Sequence, residues 1–121
     1  MHMSGGNNYH YLHIIRERGL EPEIREFISR NGVYVGSSAG SNIMCPDVDE
    51  NLSNDVNDIG LSDVRGFGLV DFYTIPHWDT YHGDKRTRQI QYGWESGKHV
   101  IPLTDEQAVL VVDGKFKIIS P

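Results

Sequence analysis

A serine hydroxyl is a weak nucleophile until a base takes its proton and a rigid turn presents it. Residues 33–44, VYVGSSAGSNIM, supply such a turn: Gly36-Ser37-Ser38-Ala39-Gly40 matches G-x-S-x-G, placed directly after an apolar run. Glycines two residues before and two after the central Ser38 allow the strand and helix backbones to approach without Cβ clashes. The hydroxyl then projects from the carboxyl end of a strand, beside the first amides of a helix, where the Ala39 N–H is the natural donor to a developing oxyanion. A Gly/Ser-rich strand-to-helix turn of purely structural use has the same five residues, so the motif needs partners elsewhere.

The base must be a histidine delivered by another strand end, and His77 follows Phe72-Tyr73-Thr74-Ile75-Pro76 in that position. A third group has to orient the imidazole, and the acidic loop between them offers Asp55 among others, in the order Ser38, Asp55, His77. The histidine pairs His10/His13 and His77/His82 come with no cysteine or carboxylate at a recognised zinc spacing, so neither a metal nor another cofactor is expected. Cys45, before Pro46, reads as a small packed residue.

The elements that must position these groups follow from the apolar spacing. A helix is expected after Gly5-Gly6-Asn7, with Leu12 and Ile15 on one face and Gly19 at its end, and a second starts at Pro22 and carries Ile24, Phe27 and Ile28. Val33 to Val35 read as a short strand, followed by a helix from Ser38 to before Pro46. Residues 47–63 hold Asp47, Asp49, Glu50, Asp55, Asp58 and Asp63 and no Lys or Arg, a surface loop without a core of its own. Further strands are expected at Phe72 to Ile75, Val100 to Leu103 and Ala108 to Val112. A helix from Asp84 to Glu95 puts Ile90 and Trp94 on one face, and Asp113-Gly114 turns the chain into Phe116 to Ile119. Strands separated by helices imply an α/β three-layer sandwich with a mainly parallel sheet, ending in an antiparallel hairpin.

The chain has 121 residues, the size of a single domain over residues 1–121, and a formal charge of -6 that opposes nucleic-acid binding. One cysteine permits no intrachain disulfide, and neither a membrane span nor a signal peptide is visible, so a cytoplasmic place is expected.

Several stretches together resemble the dipeptidase E (aspartyl dipeptidase) group of serine peptidases, related to the cyanophycinases: SGGNNYHYL, IRERGLEPEI, YVGSSAGSNIMCP, SND, GLVDFYTIPH, GDKRTRQI and LTDEQAVLVVDG, in this order. The resemblance implies cleavage of a short peptide after an amino-terminal aspartate, through an acyl-enzyme on Ser38 with His77 as base. It implies that Asp55 of Ser-Asn-Asp is the triad acid, with Glu106 the alternative, and that the Gly6 amide completes the oxyanion hole with Ala39. Selecting an acidic substrate calls for a fixed guanidinium; spacing alone also suits a surface arginine at position 86, and the resemblance assigns Arg86 to substrate binding. The family also has strands and helices before its GGN block, where only Met1 to Ser4 stand here. The expectation is therefore a truncated member whose open sheet edge, beside Val33 to Val35, is covered by a second copy in a homodimer or by a partner chain. An esterase-like acyl hydrolase, or a non-catalytic binding module, are the alternatives.

Overall fold

The computed structural model describes residues 1–80 and 83–121; Tyr81 and His82 lie outside the described residues, and with them the His77/His82 pair. The fold is mixed α/β, in the order β1 (His2–Met3), α1 (Asn8–Glu17), α2 (Glu21–Ser29), β2 (Val35–Gly36), α3 (Ala39–Asn42), β3 (Tyr73–Ile75), α4 (Asp84–Ser96), β4 (Val100–Pro102), β5 (Ala108–Val112) and β6 (Lys115–Ile119). The strands form three pairs: β1 and β2 parallel, β3 and β4 parallel, β5 and β6 antiparallel. Parallel pairs joined through helices and an antiparallel end match the expected class, whereas one continuous sheet between two helical layers is not seen among the described residues.

Three departures from the sequence reading have local causes. The strand after α2 lies at Val35–Gly36 rather than Val33 to Val35, because pairing is set by β1, whose Met1 and Met3 carbonyls accept from the Val35 and Ser37 amides at 2.8 and 2.9 Å. The place beside this strand is thus occupied on one side by a two-residue strand too short to leave a periodic signal. The acidic loop does enter the core, since Val48 and Leu52 are buried in two different apolar clusters. On α4 the buried residues are Gln89 and Gly93, while Ile90 is half-exposed and Trp94 is 88% exposed. Gly93 explains that rotation: a Cβ there would sit 2.5 Å from Val100 Cγ2, so the helix lies against β4 on its small residue instead of its large ones.

The main cluster joins Tyr9, Leu12 and Ile15 of α1 and Ile24 of α2 to Ile43, Met44, Val48 and Phe67. It packs the two N-terminal helices against the segment that follows Ser38. Tyr73 and Ile75 of β3 pack with Cys45 and Leu52, so the same segment also meets the strand leading to His77. Burial pushes the Cys45 thiol up, as suits a packed rather than reactive cysteine.

Candidate active site

Ser38 stands between β2 and α3 with φ 53° and ψ -114°, a positive-φ backbone that a non-glycine residue adopts only where its surroundings enforce it. The enforcement comes from the two flanking glycines. A Cβ at Gly36 would lie 2.5 Å from the Gly40 carbonyl oxygen, and one at Gly40 would lie 2.1 Å from the Met3 carbonyl oxygen. Strand β2, helix α3 and strand β1 thus meet backbone to backbone at the turn. Two hydroxyls hold it: Tyr34 donates to the Gly40 carbonyl and Ser41 to the Ser38 carbonyl, both at 2.6 Å. Ala39 is buried at the start of α3, where helical amides lack partners within the helix.

His77 also has a positive φ, 59°, two residues beyond the end of β3. Its Nε2 lies 3.0 Å from Ser38 Oγ and its Nδ1 2.6 Å from Asp105 Oδ1. In the tautomer protonated at Nδ1, the ring donates to Asp105 and accepts from the Ser38 hydroxyl. The parallel register explains why Asp105 arrives there: Ile75 pairs with Pro102, so His77 and Asp105 leave the same end of adjacent strands two and three residues later. The Leu103 amide donates to the Ile75 carbonyl and the Trp78 amide to the Leu103 carbonyl, which carries the pairing up to the site.

The structure does not bring either sequence-derived acid to the imidazole. Asp55 accepts instead from the backbone amide of Asn8 at 2.8 Å, closing the N-terminus of α1 with a favourable negative charge. Its neighbours serve the same brace. Ser53 Oγ accepts from the Asn8 side chain at 3.0 Å, and Asn54 accepts from Gln89 of α4 at 3.2 Å. From Asn8 a partly buried polar chain continues through Asn42 to Thr74, whose hydroxyl donates to Asn42 at 2.8 Å, three residues before His77. The Ser-Asn-Asp segment therefore ties together the elements carrying Gly6, Ser38 and His77. Glu106 is exposed beyond Asp105, pointing to no partner among the described residues. Choosing between positions 105 and 106 needs the register of β3 on β4, which a lone sequence does not display.

Gly5 lies against the nucleophile: a Cβ placed on it would be 3.5 Å from Ser38 Cβ. Gly6 follows, between Gly5 and the Asn7 side chain, which caps α1 by accepting from the Tyr9 and His10 amides at 2.9 and 3.3 Å. Arg86, in the first turn of α4, stacks its guanidinium 4.9 Å over the Trp78 ring, next in sequence to His77. Its Nε and Nη2 are buried without a hydrogen-bond partner among the described residues. Among those residues no group of three or more His, Cys, Asp or Glu side chains could hold a metal ion.

A strained serine at a strand-to-helix turn, in hydrogen-bond contact with a histidine that in turn meets a carboxylate, is the arrangement of a serine hydrolase site. Comparison with known proteins agrees with that class. Residues 1–119 match peptidase family S51, and the chain belongs to this family. It is 33% identical over 94 residues to a peptidase E of Nostoc sp., covering 74% of this chain and 38% of the relative. It is 30% identical over 121 residues to an uncharacterized peptidase of Pasteurella multocida, covering 98% of this chain and 58% of the relative. A crystal structure from Listeria monocytogenes, of a protein named as a candidate peptidase E, superposes with a TM-score of 0.79 at 22% identity, covering 99% of this chain and 58% of that one, a likeness of fold. The chain thus spans between 38% and 58% of the length of these curated relatives.

Proposed function

We propose that this chain is a serine peptidase that hydrolyses short peptides after an amino-terminal aspartate. The observation that carries the reading is the hydrogen-bonded line from Ser38 Oγ through His77 to Asp105. In the proposed cycle His77 Nε2 takes the Ser38 proton as Oγ attacks the scissile carbonyl, and Asp105 stabilises the imidazolium that forms. Amides at Ala39 and Gly6 receive the oxyanion, His77 returns the proton to the leaving amine, and water resolves the acyl-enzyme by the same route.

The selectivity for aspartate rests on Arg86. A guanidinium with two buried donors unpaired among the described residues is costly until an anion meets it, and a substrate carboxylate supplies both acceptors in one plane. Arg86→Ala should lower cleavage of Asp-X peptides by about 2 to 4 kcal/mol and leave Ala-X peptides nearly unchanged; an unchanged Asp-X to Ala-X ratio would remove Arg86 from this role.

The reading as a whole is tested by exposing the protein to a serine-directed phosphonate and to two substrate classes. Labelling at Ser38 with turnover of Asp-X dipeptides is expected. Better turnover of p-nitrophenyl esters would favour an acyl hydrolase, and no labelling would favour a binding module.

Three coarser properties accompany this proposal. The three strand pairs are read as parts of one doubly wound sheet, the β2 and β3 ends being brought together at Ser38 and His77. A homodimer near the elbow is supported by Val33 and Val35, which are 73% and 52% exposed on the β2 side. A cytoplasmic place is supported by the buried free thiol of Cys45; no helix among the described residues is long and apolar enough to cross a membrane.

A further inference from the structure

We propose that Tyr11 is a positioning residue that holds the loop Ser4-Gly5-Gly6 in register with the Ser38 nucleophile, an inference that rests on the peptidase reading. Tyr11 sits one turn into α1, its amide bonded to the Asn7 carbonyl at 3.0 Å. Long helical side chains lean toward the helix N-terminus, and from this position the phenol reaches back over the loop that precedes the cap. Its hydroxyl donates to the Gly5 carbonyl at 3.0 Å and lies 3.3 Å from Ser4 Oγ. Its ring closes the other side of the loop, since a Cβ on Gly6 would come within 3.0 Å of Tyr11 Cε2.

Two adjacent glycines have more backbone freedom than any other pair, so a donor amide carried by them is only as well aimed as the contacts that restrain it. Downstream, the loop is fixed by α1: Asp55 holds the Asn8 amide and the Asn7 side chain donates to the Val56 carbonyl at 3.1 Å. Upstream, β1 is fixed by its pairing with β2. Tyr11 acts between these anchors, on the very residue that lies against Ser38. An oxyanion donor works because it is already in place when charge develops, and displacement by about 1 Å removes on the order of a hundredfold in rate. Tyr11 thus acts on the reaction through Gly5 and Gly6, without touching the substrate.

The test compares the wild-type chain with Tyr11→Phe, which keeps the ring against Gly6 and removes only the hydroxyl. Turnover of an Asp-X dipeptide should fall about 10- to 100-fold in kcat with KM little changed, and phosphonate labelling of Ser38 should slow in parallel. Backbone NMR order parameters should fall at Gly5 and Gly6 while those of α1 stay at rigid-backbone values. Tyr11→Leu, lacking ring and hydroxyl, should lose more on every readout. A Tyr11→Phe protein with wild-type kcat, a change confined to KM, or lowered order parameters spread over the whole chain would each overturn the inference. If the wild-type protein neither turns over peptides nor is labelled, the peptidase reading fails by that result alone. Order parameters at Gly5 and Gly6 in the same two proteins then still decide whether Tyr11 holds the loop.

Discussion

The Ser38 elbow and the C-terminal hairpin are each announced by a short local signal, yet only one of them is finished by the rest of the chain. At the elbow, strained backbone at Ser38 and His77 is held by β1, α3, β3 and the bonded network from Asp55 to Thr74. At the hairpin, Asp113 and Gly114 both take positive φ, as a two-residue turn with the strand's own twist requires, and five residue pairs follow in register. That register puts Val109, Val111, Phe116 and Ile118 on a single apolar face. Phe116 meets Phe72 and His99 at ring separations of 5.0 and 5.6 Å, but it remains 41% exposed, and Val111 and Ile118 are similarly open. Local conformation, in other words, is written in a few residues, whereas burial depends on what the remainder of the chain brings opposite.

The comparison is broken most directly at the elbow. Ser38→Ala and His77→Ala should each lower kcat on an Asp-X peptide by several orders of magnitude, and the double variant should be little worse, because the two act as a unit. Ser37→Ala should cost far less: its hydroxyl faces His2, 3.1 Å away, not His77. Equal losses at the two serines would show that the strained turn is not presenting Ser38.

Next in size is the division of labour between two aspartates. Asp105→Asn should reduce kcat by about 10⁴, the order seen when a triad acid is replaced and the imidazole takes the wrong tautomer, with thermal stability almost unchanged. Asp55→Asn should do the reverse, lowering stability by about 1 kcal/mol through the Asn8 amide and kcat only modestly. The opposite pattern in steady-state kinetics and melting would return Asp55 to the imidazole.

That pair also shows how far the sequence could be read. Ser38, His77 and the glycines around the elbow were legible because each is defined by its neighbours in the chain: a strand end, a proline stop, a spacing that only small residues satisfy. The hairpin was legible for the same reason. Asp105 was not, because its role depends on how β3 and β4 slide past each other, and a shift of one residue would have presented Thr104 or Glu106 instead. Nor was the outward face of α4. Ile90 and Trp94 have the spacing of a buried stripe, and the close approach of Gly93 to Val100 overrides it. Asp55 stands in a segment whose polarity suggested catalysis or solvent, while its use is to fasten a helix.

A third region, behind the elbow, gives a pH-dependent effect of intermediate size. Burial raises the Asp49 carboxyl, but hydrogen bonds from Lys98, Tyr92 and the Asn51 amide outweigh it and hold the group below the usual range. Burial likewise pulls Lys98 down, and its bond to Asp49 with the charges of Asp47 and Asp49 more than reverses that, so its ammonium is held above the usual lysine value. A depressed carboxylate contributes stability above its unfolded value and loses it as pH falls through the folded one. Asp49→Asn should therefore cost about 2 kcal/mol at neutral pH, and the gap in Tm between the two proteins should close as pH drops from about 5 to 2. Lys98, shifted the other way, contributes fully below its unfolded value and loses that contribution only in strong alkali. A constant gap across the acid range would mean that Asp49 is not the titrating brace between the acidic loop and β4.

The smallest effect is expected at the hairpin, and it decides whether the comparison holds in solution. Apolar burial is worth about 25 cal/mol per Å² removed from water, so side chains left half in water have little left to lose. Val111→Thr replaces one methyl by a hydroxyl at unchanged shape, Ile118→Thr replaces the ethyl branch by a hydroxyl, and both keep the β-branching that strands prefer. On an open face each should change stability by no more than about 0.5 kcal/mol and leave kcat within about twofold. Val111→Lys should be tolerated equally well by the fold. Sedimentation at micromolar concentration separates two states of that face. If the hairpin stands open, all three variants should sediment as the wild-type protein does. If it is covered by a second copy, the wild-type protein should sediment as a dimer, and Val111→Lys should shift it to monomer with a loss of stability well above 0.5 kcal/mol. In that event the contrast drawn between elbow and hairpin belongs to the single chain alone, and the second copy supplies at β5 and β6 what β1 and α3 supply around Ser38.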